Sequence, residues 1–147
     1  MNVKEDKIRL MVVDDHGVVR SGVKALIETE EGLEVIGEAT DGREAVTKAK
    51  TMEPDLVLMD LVMPEMDGVE ATRRITQEGI DLEILILTSF SEEERIIQAI
   101  KAGASGYLIK DASPRELVSA IKDTYRGEST LDPKVAGTVL RSMQEEN

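Results

Sequence analysis

Polar residues close four of the apolar runs in this chain. Asp14 and Asp15 follow Ile8 to Val13, Asp60 follows Leu56 to Met59, Thr88 and Ser89 follow Ile84 to Leu87, and Lys110 follows Tyr107 to Ile109. Each has a bland reading on its own, since Asp-Asp is often a loop or helix cap and a lone lysine is usually solvated. Together they amount to three carboxylates, a hydroxyl pair and one ammonium. Two like charges about 4 Å apart cost ~1 kcal/mol in water and ~4 kcal/mol at an effective dielectric near 20. A cluster of carboxylates therefore raises a pKa or recruits a cation. Oxygen donors alone point to Mg²⁺ or Mn²⁺ rather than zinc. A carboxylate is also a nucleophile that can form an aspartyl-phosphate, with Lys110 and the Thr88 hydroxyl meeting the phosphoryl oxygens. The chemistry described is phosphoryl transfer to an aspartate.

These groups meet only if the runs before them lie side by side. The runs are nearly continuous rather than alternating, as parallel strands covered on both faces require, while Leu33 to Ala39 alternates more and suits a strand nearer an edge. Helical spacing fills the intervals, with Val19, Val23, Leu26 and Ile27 forming one stripe. Asp41 with Glu44, Asp67 with Glu70, and Ser91 with Glu94 each read as an N-cap followed by an acid at N3. Ser113-Pro114 adds proline at a first helical position, and Gly103 and Gly127 stand where helices should end. Strand–helix repeated five times specifies an α/β parallel sheet with right-handed crossovers. In such sheets sites form outside the carboxyl ends of the strands, which is where the polar residues fall. A sixth, amphipathic helix is predicted from Asp132-Pro133, with Val135, Val139 and Met143 at four-residue spacing. It either packs on its own domain or serves as a linker or partner-binding helix.

Composition narrows the classes further. A chain of 147 residues fits one domain and can bury roughly 68–70% of its unfolded surface. It has no cysteine, which removes disulfides, thiolate zinc sites and cysteine nucleophiles. Its single histidine, His16, excludes a multi-histidine metal site. A formal charge of −12 argues against gripping nucleic acid or an anionic membrane unaided. No apolar run approaches the ~20 residues of a membrane span, and the acids among the first ten residues are unlike a signal peptide, so a cytoplasmic protein is expected.

Val12-Val13-Asp14-Asp15-His16, Leu58-Met59-Asp60 running through Met63-Pro64-Glu65-Met66-Asp67-Gly68, Thr88-Ser89 and Gly106-Tyr107-Leu108-Ile109-Lys110 resemble the receiver domain of bacterial two-component response regulators. The resemblance covers about Ile8 to Arg126. It implies a flavodoxin-like (βα)5 doubly wound parallel sheet of strand order 2-1-3-4-5, plus the C-terminal helix. Residues 1–127 would be the receiver and 128–147 a linker helix. Asp60 would be the phosphoacceptor, with Lys110 and Thr88 contacting the phosphoryl group. Asp14, Asp15, Asp60 and the Val62 carbonyl would hold Mg²⁺ or Mn²⁺, Asp15 more directly and Asp14 largely through water. Thr88 and Tyr107 would form the switch, although a strand aromatic that simply fills core space is the blander reading of Tyr107. His16 could be a phosphohistidine donor or a metal ligand, but reads as a positioning or solvent-facing side chain.

One position departs from the pattern. Many receivers place proline after the lysine, usually with a cis bond, whereas Asp111 follows Lys110. That substitution, Asp14 to Gly22, and Gly127-Glu128 leading to Leu131-Asp132-Pro133 resemble the NarL/LuxR-type branch, with regulators of the LiaR/VraR kind the nearest likeness. The resemblance implies a signalling domain that catalyses only its own phosphorylation and dephosphorylation, a sensor histidine kinase as donor, dimerisation on phosphorylation, and transcriptional control. DNA would be bound only through a helix-turn-helix output domain beyond the linker, the chain being an excised receiver. A stand-alone or phosphorylation-independent interaction module is the alternative. A flavodoxin would want aromatic rings around its flavin, and a haloacid-dehalogenase-type phosphatase a second aspartate two residues after the first, where Val62 stands. No Walker-type glycine-rich motif is present.

Overall fold

Side chains that alternate sides on an extended chain must be covered twice, and the computed structural model shows how this is done. The structure describes residues 7–89 and 93–128, with 137, 140, 141, 144 and 145. The elements are β1 (Ile8–Val13), α1 (Gly17–Glu28), β2 (Leu33–Ala39), α2 (Gly42–Met52), β3 (Leu56–Met59), α3 (Gly68–Gln77), β4 (Glu83–Thr88), α4 (Glu93–Ala102), β5 (Gly106–Ile109) and α5 (Pro114–Tyr125). All strand pairs are parallel, in the order β2-β1-β3-β4-β5.

Period-two alternation then divides the core. Leu10 and Val12, Leu56 and Leu58, and Leu85 and Leu87 face α1 and α5, where Ile27, Leu117 and Ile121 complete one layer. Met11 and Val13, Val57 and Met59, and Ile84 and Ile86 face the opposite way, covered by α2, α3 and α4 through Ala45, Val69, Ile75 and Ile96. Every residue of β3 is buried, as the middle strand of a two-faced sheet must be. No helix among the described residues is long and apolar enough to cross a membrane.

The helix starts follow their side chains. Asp41 and Asp67 accept from the amides of Glu44 and Glu70 at 2.8 and 2.9 Å. Ser113 and Glu116 form a reciprocal capping box. Glu44 departs from that pattern by turning to the Thr40 amide, 2.7 Å away, instead of that of Asp41. Gly103 and Gly127 take φ of 122° and 82°, but α2 ends on Glu53 at φ 50°, a left-handed cap without glycine.

Two details correct the expected boundaries. Thr88 is the last residue of β4 and does not follow it. The strand holding Tyr107 begins at Gly106 and forms an edge of the sheet, with Leu108 and Ile109 only half-buried. All described peptide bonds are trans, Lys110–Asp111 among them. The Ser91 cap, Phe90, the Asp132-Pro133 start, and Val135, Val139 and Met143 lie outside the described residues. Gly137, Leu140, Arg141, Gln144 and Glu145 are helical.

Candidate functional site

The backbone ladder carries the polar residues to one rim. The Asp14 amide donates to the Ala39 carbonyl at 3.1 Å, that of Asp60 to Val13 at 3.0 Å, and that of Lys110 to Thr88 at 2.8 Å. Each residue is thus pinned to the strand beside it one step past the regular sheet, where side chains are no longer committed to packing. Asp14 and Asp60 are buried, at 3% and 4% exposure, while Asp15 is exposed.

Lys110 reaches across this rim. Its Nζ lies 3.0 Å from Asp14 Oδ2 and 3.4 Å from Asp60 Oδ1. One ammonium shared between carboxylates does not satisfy both. Burial pushes the Asp60 carboxyl above its ordinary range and the charge of Asp14 adds to this, while Lys110 and the Val62 amide oppose without cancelling it. Burial acts to lower the Lys110 pKa, but its hydrogen bond to Asp14 and the charges of both aspartates win, and the ammonium is held above its usual value. Three ionised carboxylates and one ammonium leave a formal charge of −2, the amount one divalent cation balances.

Asp14, Asp15, His16 and Asp60 each offer one ligand atom, all within 4.8 Å of one another. The donors other than His16 are carboxylate oxygens, the set that Mg²⁺ or Mn²⁺ accepts. The Thr88 hydroxyl is buried without a hydrogen-bond partner, a cost of about 1–3 kcal/mol that a phosphoryl oxygen would remove. These residues therefore suit a dication and an incoming phosphoryl group.

The loop after Asp60 is held by two close backbone approaches. A Cβ on Gly68 would overlap the Asp60 carbonyl oxygen, and one on Gly42 the Met66 carbonyl oxygen. The amides of both glycines donate into the loop, Gly68 to Leu61 at 2.9 Å and Gly42 to Met66 at 2.8 Å. Glu65 sits at φ 66°, a left-handed conformation a non-glycine residue rarely takes. Val62, whose carbonyl the resemblance assigns to the metal, is 45% exposed at the mouth.

Asp14, Asp15, Asp60 and Lys110 thus come together, and Thr88 joins them through its backbone bond to Lys110. Tyr107 pairs with Ile86 across the β4–β5 ladder and is buried at 7% exposure. Thr88, two residues beyond Ile86, shares its face of the sheet. Sequence reasoning missed Arg20, which donates through Nη1 to the Asp14 carbonyl at 2.8 Å and through Nε to Glu38 at 3.1 Å. No spacing signal links α1 to the end of β2, because their proximity is made by the crossover.

A family model described as "Response regulator receiver domain" matches residues 10–122. Among characterised proteins, the chain is 45% identical over 137 residues to the transcriptional regulatory protein LiaR of Bacillus subtilis, covering 93% of this chain and 65% of that protein. It is 42% identical over 128 residues to the response regulator protein VraR of Staphylococcus aureus, covering 87% of this chain and 61% of that protein. The chain thus spans less than two thirds of the length of these curated relatives. A LuxR-family two-component response regulator from Aurantimonas superposes with a TM-score of 0.81 at 39% identity, covering 93% of this chain and 98% of that one.

Proposed function

The chain belongs to the response regulator receiver family, on its LuxR-type branch, and from that premise we propose that it accepts a phosphoryl group on Asp60 from a sensor histidine kinase. The observation that carries this reading is the buried Asp60 carboxylate sharing one ammonium with Asp14, with the orphaned Thr88 hydroxyl on the neighbouring strand end. An Asp60 oxygen bonds to phosphorus as the bond from phosphorus to the donor's imidazole nitrogen breaks, and that imidazole leaves. Lys110 holds the transferring oxygens by charge, and the Thr88 hydroxyl donates to one of them. Asp14, Asp15, Asp60 and the Val62 carbonyl are the proposed metal ligands. A bound Mg²⁺ or Mn²⁺ would offset the carboxylate charges and polarise the phosphoryl oxygens.

Phosphorylation leaves added negative charge opposite Lys110. Thr88 is drawn toward it, and Tyr107 on the same face is the side chain whose position responds, making a two-state element. The output we propose is dimerisation, with residues 128–147 as a linker to a helix-turn-helix domain that binds DNA in the cytoplasm. The name of the Bacillus subtilis relative, a transcriptional regulatory protein, supports that output.

Intact mass after incubation with acetyl phosphate and Mg²⁺ tests the reading. One phosphoryl group should be gained by the parent and by neither Asp60→Ala nor a chelated sample. A parent that gains none, and that also fails to bind BeF₃⁻ with Mg²⁺, would instead be a receiver fold serving only as an interaction module.

A further inference from the structure

His16 stands where a solvent-facing residue would be of little interest, yet its ring is turned to the acids. Nδ1 lies 3.0 Å from Asp14 Oδ1 and 3.1 Å from Asp15 Oδ1, while 63% of the side chain remains exposed. Asp14 divides its two oxygens: Oδ1 also accepts the His16 amide at 2.8 Å, and Oδ2 faces Lys110. The ammonium therefore does not stand between the imidazole and the two carboxylate oxygens nearest it.

Without a metal, Nδ1 hydrogen-bonds to Asp14 Oδ1 at this distance, and the same separations match a coordination shell that would replace that bond. Ligands about 2.1 Å from an octahedral cation lie about 3.0 Å apart when adjacent. Nδ1 already stands at that spacing from each of the two Oδ1 atoms. The backbone supports the arrangement, because His16 immediately precedes α1 and Arg20, one turn on, grips the Asp14 carbonyl.

We propose that His16 Nδ1 is a ligand of the acidic pocket, and that it makes the pocket bind borderline transition-metal dications more tightly than Mg²⁺. This rests on the reading that Asp14, Asp15 and Asp60 hold a divalent cation. Mg²⁺ prefers oxygen and keeps its waters, so it gains little from the ring. Imidazole nitrogen suits Co²⁺, Ni²⁺ and Zn²⁺, whose affinities for such sites exceed that of Mn²⁺. Coordination at Nδ1 leaves the ring proton on Nε2. The exposure of the side chain lets that proton exchange positions through solvent.

Titration calorimetry of the tag-free chain with CoCl₂ and with MgCl₂ at one fixed pH, repeated on His16→Ala, tests the inference. The parent should bind Co²⁺ at least tenfold tighter than Mg²⁺. His16→Ala should weaken Co²⁺ by about tenfold or more, as loss of a ligand or its support does, and leave Mg²⁺ within twofold. The proton NMR spectrum of the Co²⁺ complex should carry one strongly shifted, exchangeable imidazole resonance that the variant lacks. Mg²⁺ bound normally, with Co²⁺ affinity indifferent to His16 or no shifted resonance, overturns this inference alone. Co²⁺ binding through His16 with no Mg²⁺ bound by either protein sustains the ligand and overturns the Mg²⁺-dependent phosphoryl-transfer reading. Failure of both ions to bind overturns both.

Discussion

As the proposed phosphoacceptor, Asp60 must be an anion in a place that disfavours one. It is buried beside Asp14 and has only a share of Lys110, so its pKa is raised. Between the ordinary carboxylate range and that raised value, the folded chain holds a proton that the unfolded chain has released, so stability falls as pH rises through the window. Asp60→Asn abolishes that titration. The variant is expected to melt above the parent at about pH 7, by roughly 2–4 °C for each kcal/mol recovered, since a chain of this length has a large unfolding entropy. The gap should close below the ordinary carboxylate range, where Asp60 of the parent is protonated folded and unfolded alike, and Mg²⁺ should narrow it at neutral pH by stabilising the parent's anion. Thermal melts across that range check the sign. An Asn variant that melts lower at neutral pH would mean that Lys110 contributes more than burial costs.

At the level of elements, the site is a property of junctions. Gly68 begins α3 and its missing Cβ lets the helix approach the carbonyl of Asp60 itself. Gly68→Ala is expected to cost roughly 1–3 kcal/mol, the range for forcing an extra methyl into a packed position. Because the displaced atom belongs to the proposed acceptor residue, phosphorylation by acetyl phosphate should slow as well. Denaturant melts and a mass time course check the two effects separately. Ser113 caps α5 in a reciprocal box with Glu116. Ser113→Ala should cost about 1 kcal/mol and leave the phosphorylation rate of the folded protein as it was. A large change in rate would show that α5 is coupled to Lys110 through the short Asp111-Ala112 connection.

The molecule as a whole carries a net charge of −12, and two copies that associate bring that charge together. Dimerisation in the BeF₃⁻ complex should therefore strengthen with ionic strength, because screening shortens to about 10 Å at 0.1 M and about 3 Å at 1 M salt. Light scattering at low and high NaCl should show the average mass rising toward twice the monomer with BeF₃⁻ and Mg²⁺, more completely at high salt. A mass unchanged by BeF₃⁻ at either salt would sink the proposed coupling between phosphorylation and association. Salt dependence of the opposite sign would mean that the contacting faces are charge-complementary despite the net charge.

Apolar runs, caps and closing polar residues determine the elements and much of the site from the sequence, because strand period, helix caps and strand-end positions are local. Asp14, Asp15, Asp60 and Lys110 were legible for that reason, each standing just past an apolar run. Tertiary structure alone decided what crosses between elements. It set the reach of Lys110, 3.0 Å from Asp14 and 3.4 Å from Asp60, and the burial that raises the Asp60 pKa. It turned His16 onto both carboxylates and brought Arg20 to the Asp14 carbonyl. It also let Glu53 end α2 in a left-handed conformation that local propensity assigns to glycine. Distances between residues far apart in the chain are set by crossovers and packing, and no spacing along the sequence encodes them.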